Sequence, residues 1–206
     1  LIERGENRNL RREQFVYDNL NRLTDTSVFG GYNTHIDYND IGNIVFKSDV
    51  GTYSYGANGA GPHSVTAIVG PKANVFNYDS NGNRVRDNNS YVSYSSFNNV
   101  TSIQTGQYSI DFHYGPDRNR YKQVKTKQSA TLDTTIKIYI GKHYEEVTNP
   151  DLSVDQKNYI FAGKEAVALY QSKVNGQDSW YYFHKDHLGS IESITDLNGA
   201  LLEVLS

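Results

Sequence analysis

The stretch YDSNGNRV, from Tyr78 to Val85, decides the fold of this chain. In it a tyrosine is followed by three residues of turn type, then by glycine, and shortly afterwards by an apolar residue. Asp, Asn and Gly tolerate the positive φ angles that tight hairpin turns need. We therefore predict that the tyrosine ends one strand, that the polar residues form the turn, and that the apolar residue begins the returning strand.

The pattern occurs in five copies, and a degenerate sixth, YGANGAG, begins at Tyr55. The other copies are YDNLNRL at Tyr17, YNDIGNI at Tyr38, YSSFNNV at Tyr94 and YGPDRNRY at Tyr114. A lone hairpin is marginally stable in water, so repeated hairpins are expected to pair edge to edge. The signature residues of the predicted repeat are Tyr17, Asp18, Tyr38, Gly42, Tyr78, Asp79, Gly82, Tyr94, Tyr114 and Arg118.

Alternation between the repeats also favours strands. In QYSIDFHY the residues Tyr108, Ile110 and Phe112 share one face, which is the period of a half-buried strand. No segment has a helical period with caps at both ends, and residues 7–20 are interpreted as a strand leading into the Tyr17 turn. We predict an all-β chain of consecutive antiparallel β-hairpins that form one coiled, spiralling sheet.

The repeats divide the chain by pattern. Residues 1–138 carry the Tyr-Asp hairpins, and residues 139–206 are predicted to extend the same sheet without the Tyr-Asp repeat. The best loop candidate in this second part is Asn149–Lys157, which contains Asn-Pro and a polar run. We do not predict a domain boundary there.

Composition excludes several classes of protein. The formal net charge is −3, which argues against a nucleic-acid binder with a basic stripe. No apolar run approaches the length of a membrane-spanning helix, and the absence of cysteine excludes disulfides and thiolate metal sites. The sequence opens on LIERGENRNL without methionine, so we expect a processed or excised piece of a longer protein.

With five copies in register, the chain resembles the Tyr-Asp (YD) repeats of Rhs proteins, of the C subunits of insecticidal toxin complexes and of teneurins. The stretch YYFHKDHLGSIESITDLNGALLEV, from Tyr181 to Val204, is similar to the block that precedes the Rhs-associated core. The segments GPHSV, YGPDRNRYKQV and YIGKHYE also resemble bacterial members. The signature of the pre-core block here is Tyr182, Asp186, His187, Leu188, Gly189 and Ser190.

This resemblance implies a hollow shell whose wall is a spiral of hairpins and which holds a C-terminal toxic effector. The expected partners are the remainder of the parent chain and the enclosed effector, and the parent is expected to be secreted by, or displayed on, a bacterium. Open strand edges invite self-association. The family's self-cleavage pattern, of Asp-Pro-x-Gly type, does not occur after the pre-core block, so we expect no self-cleavage, no catalysis and no cofactor in this piece.

The cluster HKDHLGS could also be interpreted as a site. His184, Asp186, His187 and Ser190 are residue types of a hydrolytic triad or of a metal pair. Nothing in their spacing makes them converge, and a third metal ligand is missing. The favoured interpretation is a turn in which Gly189 takes an unusual dihedral angle.

Two polar stretches are predicted to be turns or loops rather than ligand sites. Asp79–Asn83 begins like a calcium loop, but its glycine is two positions early and no glutamate closes it. Gly56–His63 is rich in glycine but lacks the lysine and helix of a phosphate-binding loop. The remaining histidines, His35, His63, His113 and His143, are scattered, and we expect them to be structural or exposed.

Two surface features leave alternatives open. A basic run comprises Arg118, Arg120, Lys122, Lys125 and Lys127. Its residues from Arg118 to Lys122 recur at period two, which predicts a basic strand face that is either solvated or in contact with an acidic partner. The 17 tyrosines could stack on sugar rings, so a carbohydrate-binding or adhesive module is the alternative function. Packing between neighbouring repeats predicts tyrosines that contact adjacent strands, whereas a sugar platform predicts a row of three or more exposed, coplanar rings.

Overall fold

The computed structural model describes residues 2–6, 11–129, 133–173, 176–186 and 188–205. Within these ranges the chain is almost entirely β-strand, and its one helical element is the 3-10 turn Ala57–Gly59. The strands are β1 (Ile2–Glu6), β2 (Arg11–Tyr17), β3 (Leu23–Val28), β4 (Asn33–Tyr38), β5 (Ile44–Lys47), β6 (Gly51–Tyr55), β7 (Val65–Val69), β8 (Asn74–Val75), β9 (Asn77–Tyr78), β10 (Arg84–Arg86), β11 (Ser90–Tyr94), β12 (Val100–Thr105), β13 (Tyr108–Tyr114), β14 (Arg120–Lys127), β15 (Asp133–Ile140), β16 (Tyr144–Thr148), β17 (Val154–Ala162), β18 (Glu165–Lys173), β19 (Ser179–Lys185), β20 (Ile191–Thr195) and β21 (Leu201–Val204).

Strands that are consecutive in sequence pair with each other, except that β8 and β9 belong to different sheets. Strands β1 to β8 form one sheet in sequence order, and strands β9 to β21 form a second sheet, also in sequence order. The registers given for neighbouring strands are antiparallel throughout, as in β13–β14 and β17–β18. The prediction of an all-β chain of consecutive antiparallel hairpins is confirmed.

We predicted one continuous sheet, but the strands form two sheets that are divided at Phe76. Val75 pairs with Ala67 of β7, and the Phe76 N–H still donates to the Thr66 carbonyl at 3.0 Å. One residue later Asn77 pairs with β10 instead. The extended segment from β8 to β9 therefore borders both sheets, and the break between them is local to this residue.

By contact density the chain divides into two compact units, Leu1–Tyr91 and Val92–Ser206. In the second unit, strands β16 to β21 add one by one to the strands before them. The predicted loop is shorter than expected, because Thr148 pairs with Val154 and Glu145 pairs with Lys157. Only Asn149–Ser153 lies outside the strands, so the polar residues that follow Val154 belong to β17.

The faces of the sheets are half-buried, and no layered core lies above them in the described ranges. The most buried apolar residues are Ile36, Val92, Val147 and Ala168, and no described side chain is fully buried. Stability therefore comes mainly from cross-strand contacts between neighbouring hairpins rather than from packing of one layer on another. Among the described residues no helix has the length and hydropathy that a membrane span needs.

Candidate functional site

The repeat signature forms a five-residue turn, which Asp18–Arg22 shows in full. The Asp18 N–H donates to the Arg22 carbonyl at 2.9 Å, and the Asn21 N–H donates to the Asp18 carbonyl at 3.0 Å. Oδ1 of Asp18 accepts from the N–H groups of Leu20 and Arg22, both at 2.9 Å. Asn21 has a φ of 59°, the left-handed conformation that closes such a turn with a bulge. We call a segment with these two backbone bonds a capped turn.

Eight capped turns occur in the described ranges. They are Asp18–Arg22, Asn39–Asn43, Asp79–Asn83, Ser95–Asn99, Gly115–Asn119, Asn149–Ser153, Asp186–Ser190 and Asp196–Ala200. In each, the fourth residue has a positive φ; these residues are Asn21, Gly42, Gly82, Asn98, Arg118, Leu152, Gly189 and Gly199. The capped turn therefore recurs as far as Asp196–Ala200, within the part of the chain where the sequence no longer shows the Tyr-Asp repeat.

The pre-core block takes the same geometry. Oδ1 of Asp186 accepts from the N–H groups of Leu188 and Ser190 at 2.9 Å, as Asp18 does in its own turn. Gly189 has a φ of 87° in the fourth position, and the Leu188 side chain is 78% exposed. Tyr182 lies in β19, and His187 lies outside the described residues. The block is thus a capped turn between β19 and β20.

Where the first residue cannot cap, the third residue does. Gly115 has no side chain, and a Cβ added there would lie 2.8 Å from Oδ1 of Asp117. That oxygen accepts from the Asn119 N–H at 3.1 Å, and Oδ2 accepts from Nδ2 of Asn119 at 2.7 Å. These bonds, first of all that from the Asn119 side chain, lower the pKa of the Asp117 carboxyl. Because Gly115 has no side chain, it leaves room for the Asp117 carboxylate to cap the turn.

Four tyrosines that precede a turn or loop each join one hairpin to the previous one. The hydroxyl of Tyr38 donates to the Leu23 carbonyl at 2.9 Å, and Leu23 is the first residue of the preceding return strand. Three further tyrosines repeat this contact: Tyr55 donates to Ile44 at 2.6 Å, Tyr78 to Val65 at 2.7 Å and Tyr114 to Val100 at 2.7 Å. We call these four bonds the tyrosine ladder. They explain why the repeat uses tyrosine rather than phenylalanine, a reason that the sequence pattern did not reveal.

Two of the four ladder hydroxyls, those of Tyr55 and Tyr78, are partly removed from water. Desolvation is the main cause that raises the pKa of Tyr55 and of Tyr78. A buried hydroxyl needs a partner, and the carbonyl at the start of the previous return strand supplies it. Each repeat is therefore bonded to the previous one by a side chain as well as by the sheet.

Neighbouring turns also contact each other through their fifth residues. Nη1 of Arg22 donates to the Asn39 carbonyl at 3.2 Å, while its guanidinium lies 4.7 Å from the centre of the Tyr38 ring. Nδ2 of Asn43 donates to the Pro62 carbonyl at 2.8 Å, and its Oδ1 lies 2.6 Å from Nδ1 of His63. The turns therefore form a connected edge along the first sheet.

In the described part of the candidate cluster, His184 contacts a neighbouring strand and Asp186 caps a turn. Nε2 of His184 lies 2.9 Å from Oγ1 of Thr195, on the neighbouring strand. Oδ1 of Asp186 accepts from the Ser190 N–H in the capped turn, and the candidate His187 lies outside the described residues. Among the described residues there is no group of three His, Asp or Glu side chains placed to hold a metal ion.

Asp79–Asn83 forms a turn and Gly56–His63 forms a loop, as predicted. In Asp79–Asn83 the Asp79 carboxylate accepts from the Asn81 and Asn83 N–H groups at 2.9 Å and from Nδ2 of Asn83 at 3.0 Å. These bonds, led by that from the Asn83 side chain, lower the pKa of Asp79. Gly56–His63 forms a longer excursion between β6 and β7 that closes where the Gly56 N–H donates to the Ser64 carbonyl.

The basic run does not line one face as predicted. Arg118 lies in a capped turn, where its guanidinium is 3.9 Å from the centre of the Phe97 ring. Arg120 pairs with Tyr114 and Lys122 pairs with His113, so that Tyr121 is an extra residue between two consecutive pairs. This bulge reverses the alternation and places Arg120 and Lys122 on opposite faces.

One polar cluster was missed by the sequence analysis. Nδ1 of His35 lies 2.7 Å from Oδ1 of Asp25 on the facing strand, and its Nε2 lies 3.2 Å from Oδ1 of Asp37. The hydrogen bond with Asp25 is the main cause that raises the pKa of His35. Both ring nitrogens are occupied by carboxylates, so the imidazole is a bridge rather than a free base. The other scattered histidines pack against neighbours; His143, for example, meets the Phe161 ring edge-on at 4.8 Å.

The tyrosines do not form the exposed row that a sugar platform would need in the described chain. Those that are at least 40% exposed are Tyr17, Tyr32, Tyr91 and Tyr121, which lie on separate strands and turns. The rings of Trp180 and Tyr182 are nearly parallel, at an angle of 15°, with their centroids 6.2 Å apart, and they form a pair rather than a row of three.

The chain is similar to three solved structures. These are the crystal structure of TcdB2-TccC3 (TM-score 0.47, 11% identity, 94% of this chain and 15% of that chain), that of TcdB2-TccC3-TEV (0.49, 10%, 95% and 14%), and that of TcdB2-TccC3 without the hypervariable C-terminal region (0.48, 11%, 95% and 14%). The chain thus spans about one seventh of the length of each. No protein-family model matches the chain, and no curated protein matches it.

Proposed function

We propose that this chain is wall material of an Rhs/YD-repeat shell, a non-catalytic structure that encloses a C-terminal effector. The observation that carries the proposal is the tyrosine ladder. Each of its bonds joins a hairpin to the hairpin before it, so the unit has no fixed end and can be added repeatedly. The YD and pre-core motifs of the sequence favour the same function.

The half-buried faces fit a wall better than a compact binding domain. A domain that works alone buries a core between layers. Here only four apolar residues of the described chain are buried, and none of their side chains is fully buried; they are Ile36, Val92, Val147 and Ala168. A sheet of one layer has two faces that can meet different surroundings, as a wall between cargo and solvent requires. The parent protein is proposed to be secreted by, or displayed on, a bacterium.

The last strand offers an edge for the rest of such a wall. In the described chain β21 pairs with β20 alone, and Leu201, Leu202 and Val204 are 62%, 52% and 47% exposed. An unpaired, apolar strand edge pairs readily with another strand. We propose that this edge pairs with further strands of the parent chain, or with a second copy when the piece is isolated. Light scattering at high concentration should then detect oligomers, and a uniform monomer would contradict this.

Protease protection tests the enclosed effector. The parent protein that contains this chain would be treated with a nonspecific protease, and the lifetime of its C-terminal effector segment compared with that of the same segment expressed alone. The shell proposal expects the enclosed segment to survive much longer than the free one. Equal lifetimes would exclude enclosure, whatever the fold of the wall.

A further inference from the structure

We propose that the face bearing Tyr108, Tyr139 and Tyr159 on strands β13 to β17 binds acidic, extended polypeptide. We call it the tyrosine face. Residues paired across antiparallel strands lie on the same side of a sheet, so the registers assign the side chains to the two faces. On the tyrosine face, Lys125 is opposite Ile110, Lys137 is opposite Gln123, and Glu145 is opposite both Tyr139 and Lys157.

The two faces of these five strands differ in charge. The tyrosine face carries five cations and three carboxylates; the cations are Arg120, Lys125, Lys127, Lys137 and Lys157, and the carboxylates are Asp133, Glu145 and Asp155. The opposite face carries one lysine, Lys122, with two carboxylates, Asp111 and Glu146. Positive charge is therefore concentrated on the tyrosine face, although the whole chain is net negative.

Three of the five cations make no ion pair in the described part of the chain, although Lys127 is opposite Asp133 in register. Lys137 and Lys157 share Glu145, with Nζ to Oε1 distances of 3.3 and 3.4 Å. The Lys125 amine lies instead 4.2 Å from the centre of the Tyr108 ring. The Arg120 guanidinium lies 5.3 Å from the Phe112 ring and 4.8 Å from the Tyr139 ring, and Lys127 is exposed. These three cations can accept carboxylates from outside.

The same contacts favour a polypeptide over a nucleic acid. Single-stranded nucleic acids bind by stacking bases on open aromatic faces. Here the cations lie over the rings of Tyr108, Phe112 and Tyr139. Alternate side chains of an extended peptide are roughly 7 Å apart, the same spacing as Lys125 and Lys127 along β14. The inference rests on the proposed shell, because an enclosed effector is the source of such a segment.

The probe is a fluorescein-labelled peptide of alternating Glu and Ser, and its binding to the whole chain is measured by fluorescence anisotropy at low and high salt. We expect the double variant Lys125→Gln/Lys127→Gln to bind roughly fivefold more weakly, as the loss of two exposed ion pairs suggests. The matched control is Lys122→Gln, on the same strand and the opposite face, which should bind as the wild type does. Circular dichroism checks that both variants are folded.

Three results would overturn the inference: equal binding of a Gln-Ser peptide, an equal loss in Lys122→Gln, or tighter binding of oligothymidylate carrying the same number of charges. The first two exclude the tyrosine face as a site for acidic chains, and the third assigns it to nucleic acid. The test is independent of protease protection. If the effector is protected but the Glu-Ser peptide does not bind, the shell proposal is supported and the binding surface is excluded. If the peptide binds but the effector is not protected, the binding surface is supported and the shell proposal is excluded.

Discussion

Removal of one hydroxyl from the tyrosine ladder tests the bond that joins the repeats. Tyr78→Phe deletes the donor to the Val65 carbonyl, a bond of 2.7 Å, and leaves the ring in place. A hydrogen bond of this kind contributes about 1 kcal/mol, and an acceptor left without a partner adds to the loss, so we expect destabilisation of about 1–2 kcal/mol. For a chain of this length that is a fall of roughly 3–6 °C in melting temperature.

The control is Tyr32→Phe, because the Tyr32 side chain is 92% exposed. Both variants and the wild type would be unfolded in urea and by heat, with circular dichroism and the fluorescence of Trp180 as probes. The ladder predicts a lower midpoint for Tyr78→Phe and an unchanged midpoint for Tyr32→Phe. If the two variants lose the same stability, the hydroxyl bond between repeats is not what selects tyrosine at this position.

Three further predictions follow from backbone strain, capping and pH. Gly51→Ala should lower the free energy of unfolding by about 2–4 kcal/mol, because φ is 129° and the new Cβ would lie 2.2 Å from a carbonyl oxygen of the facing strand. The control Gly106→Ala, whose Cβ would have no atom within 4 Å, should leave stability unchanged. Urea unfolding midpoints of the two variants test this difference, and equal midpoints would contradict it. Asp79→Ala removes a turn cap and should lower the melting temperature, whereas Asp40→Ala, in the second position of another turn, should not; equal melting temperatures would contradict the capping role. The raised pKa of His35 means that its contribution to stability is complete below the ordinary pKa of about 6.5 and is lost as pH rises through the raised value. The stability difference between wild type and His35→Gln should therefore be larger at pH 6 than at pH 9, and a difference independent of pH would show that the two carboxylates do not hold a charged imidazole.

Much of the fold could be predicted from the sequence because each turn is marked by a short pattern of neighbouring residues. A tyrosine, a capping Asp, Asn or Ser, and Gly or Asn three residues after the cap are enough to find the turns at Asp18, Asn39, Asp79 and Ser95. The same rule applied without the tyrosine would have found Asp196–Ala200. The turn Asn149–Ser153 escapes it, since Leu152 takes a φ of 66° that leucine rarely adopts.

What the sequence could not give depends on contacts between strands. The ladder joins Tyr78 to Val65, and the His35 bridge joins two strands, so both depend on register. The bulge at Tyr121 reverses the alternation of the basic run, and no residue type marks it in advance. Because the bulge places Arg120 on the same face as Lys125 and Lys127, the charge difference between the two faces could not be predicted from alternation alone.

The most direct test of the account is a cryo-electron microscopy map of the shell protein of which we propose that this chain is a part. The account predicts that the hairpins follow one another in sequence order within a wall around a cavity that holds effector density. The hydroxyls of Tyr38, Tyr55, Tyr78 and Tyr114 should lie within hydrogen-bond distance of the return strand before each of them. A separate, layered domain at the surface of the parent, or a wall with no cavity, would contradict the account.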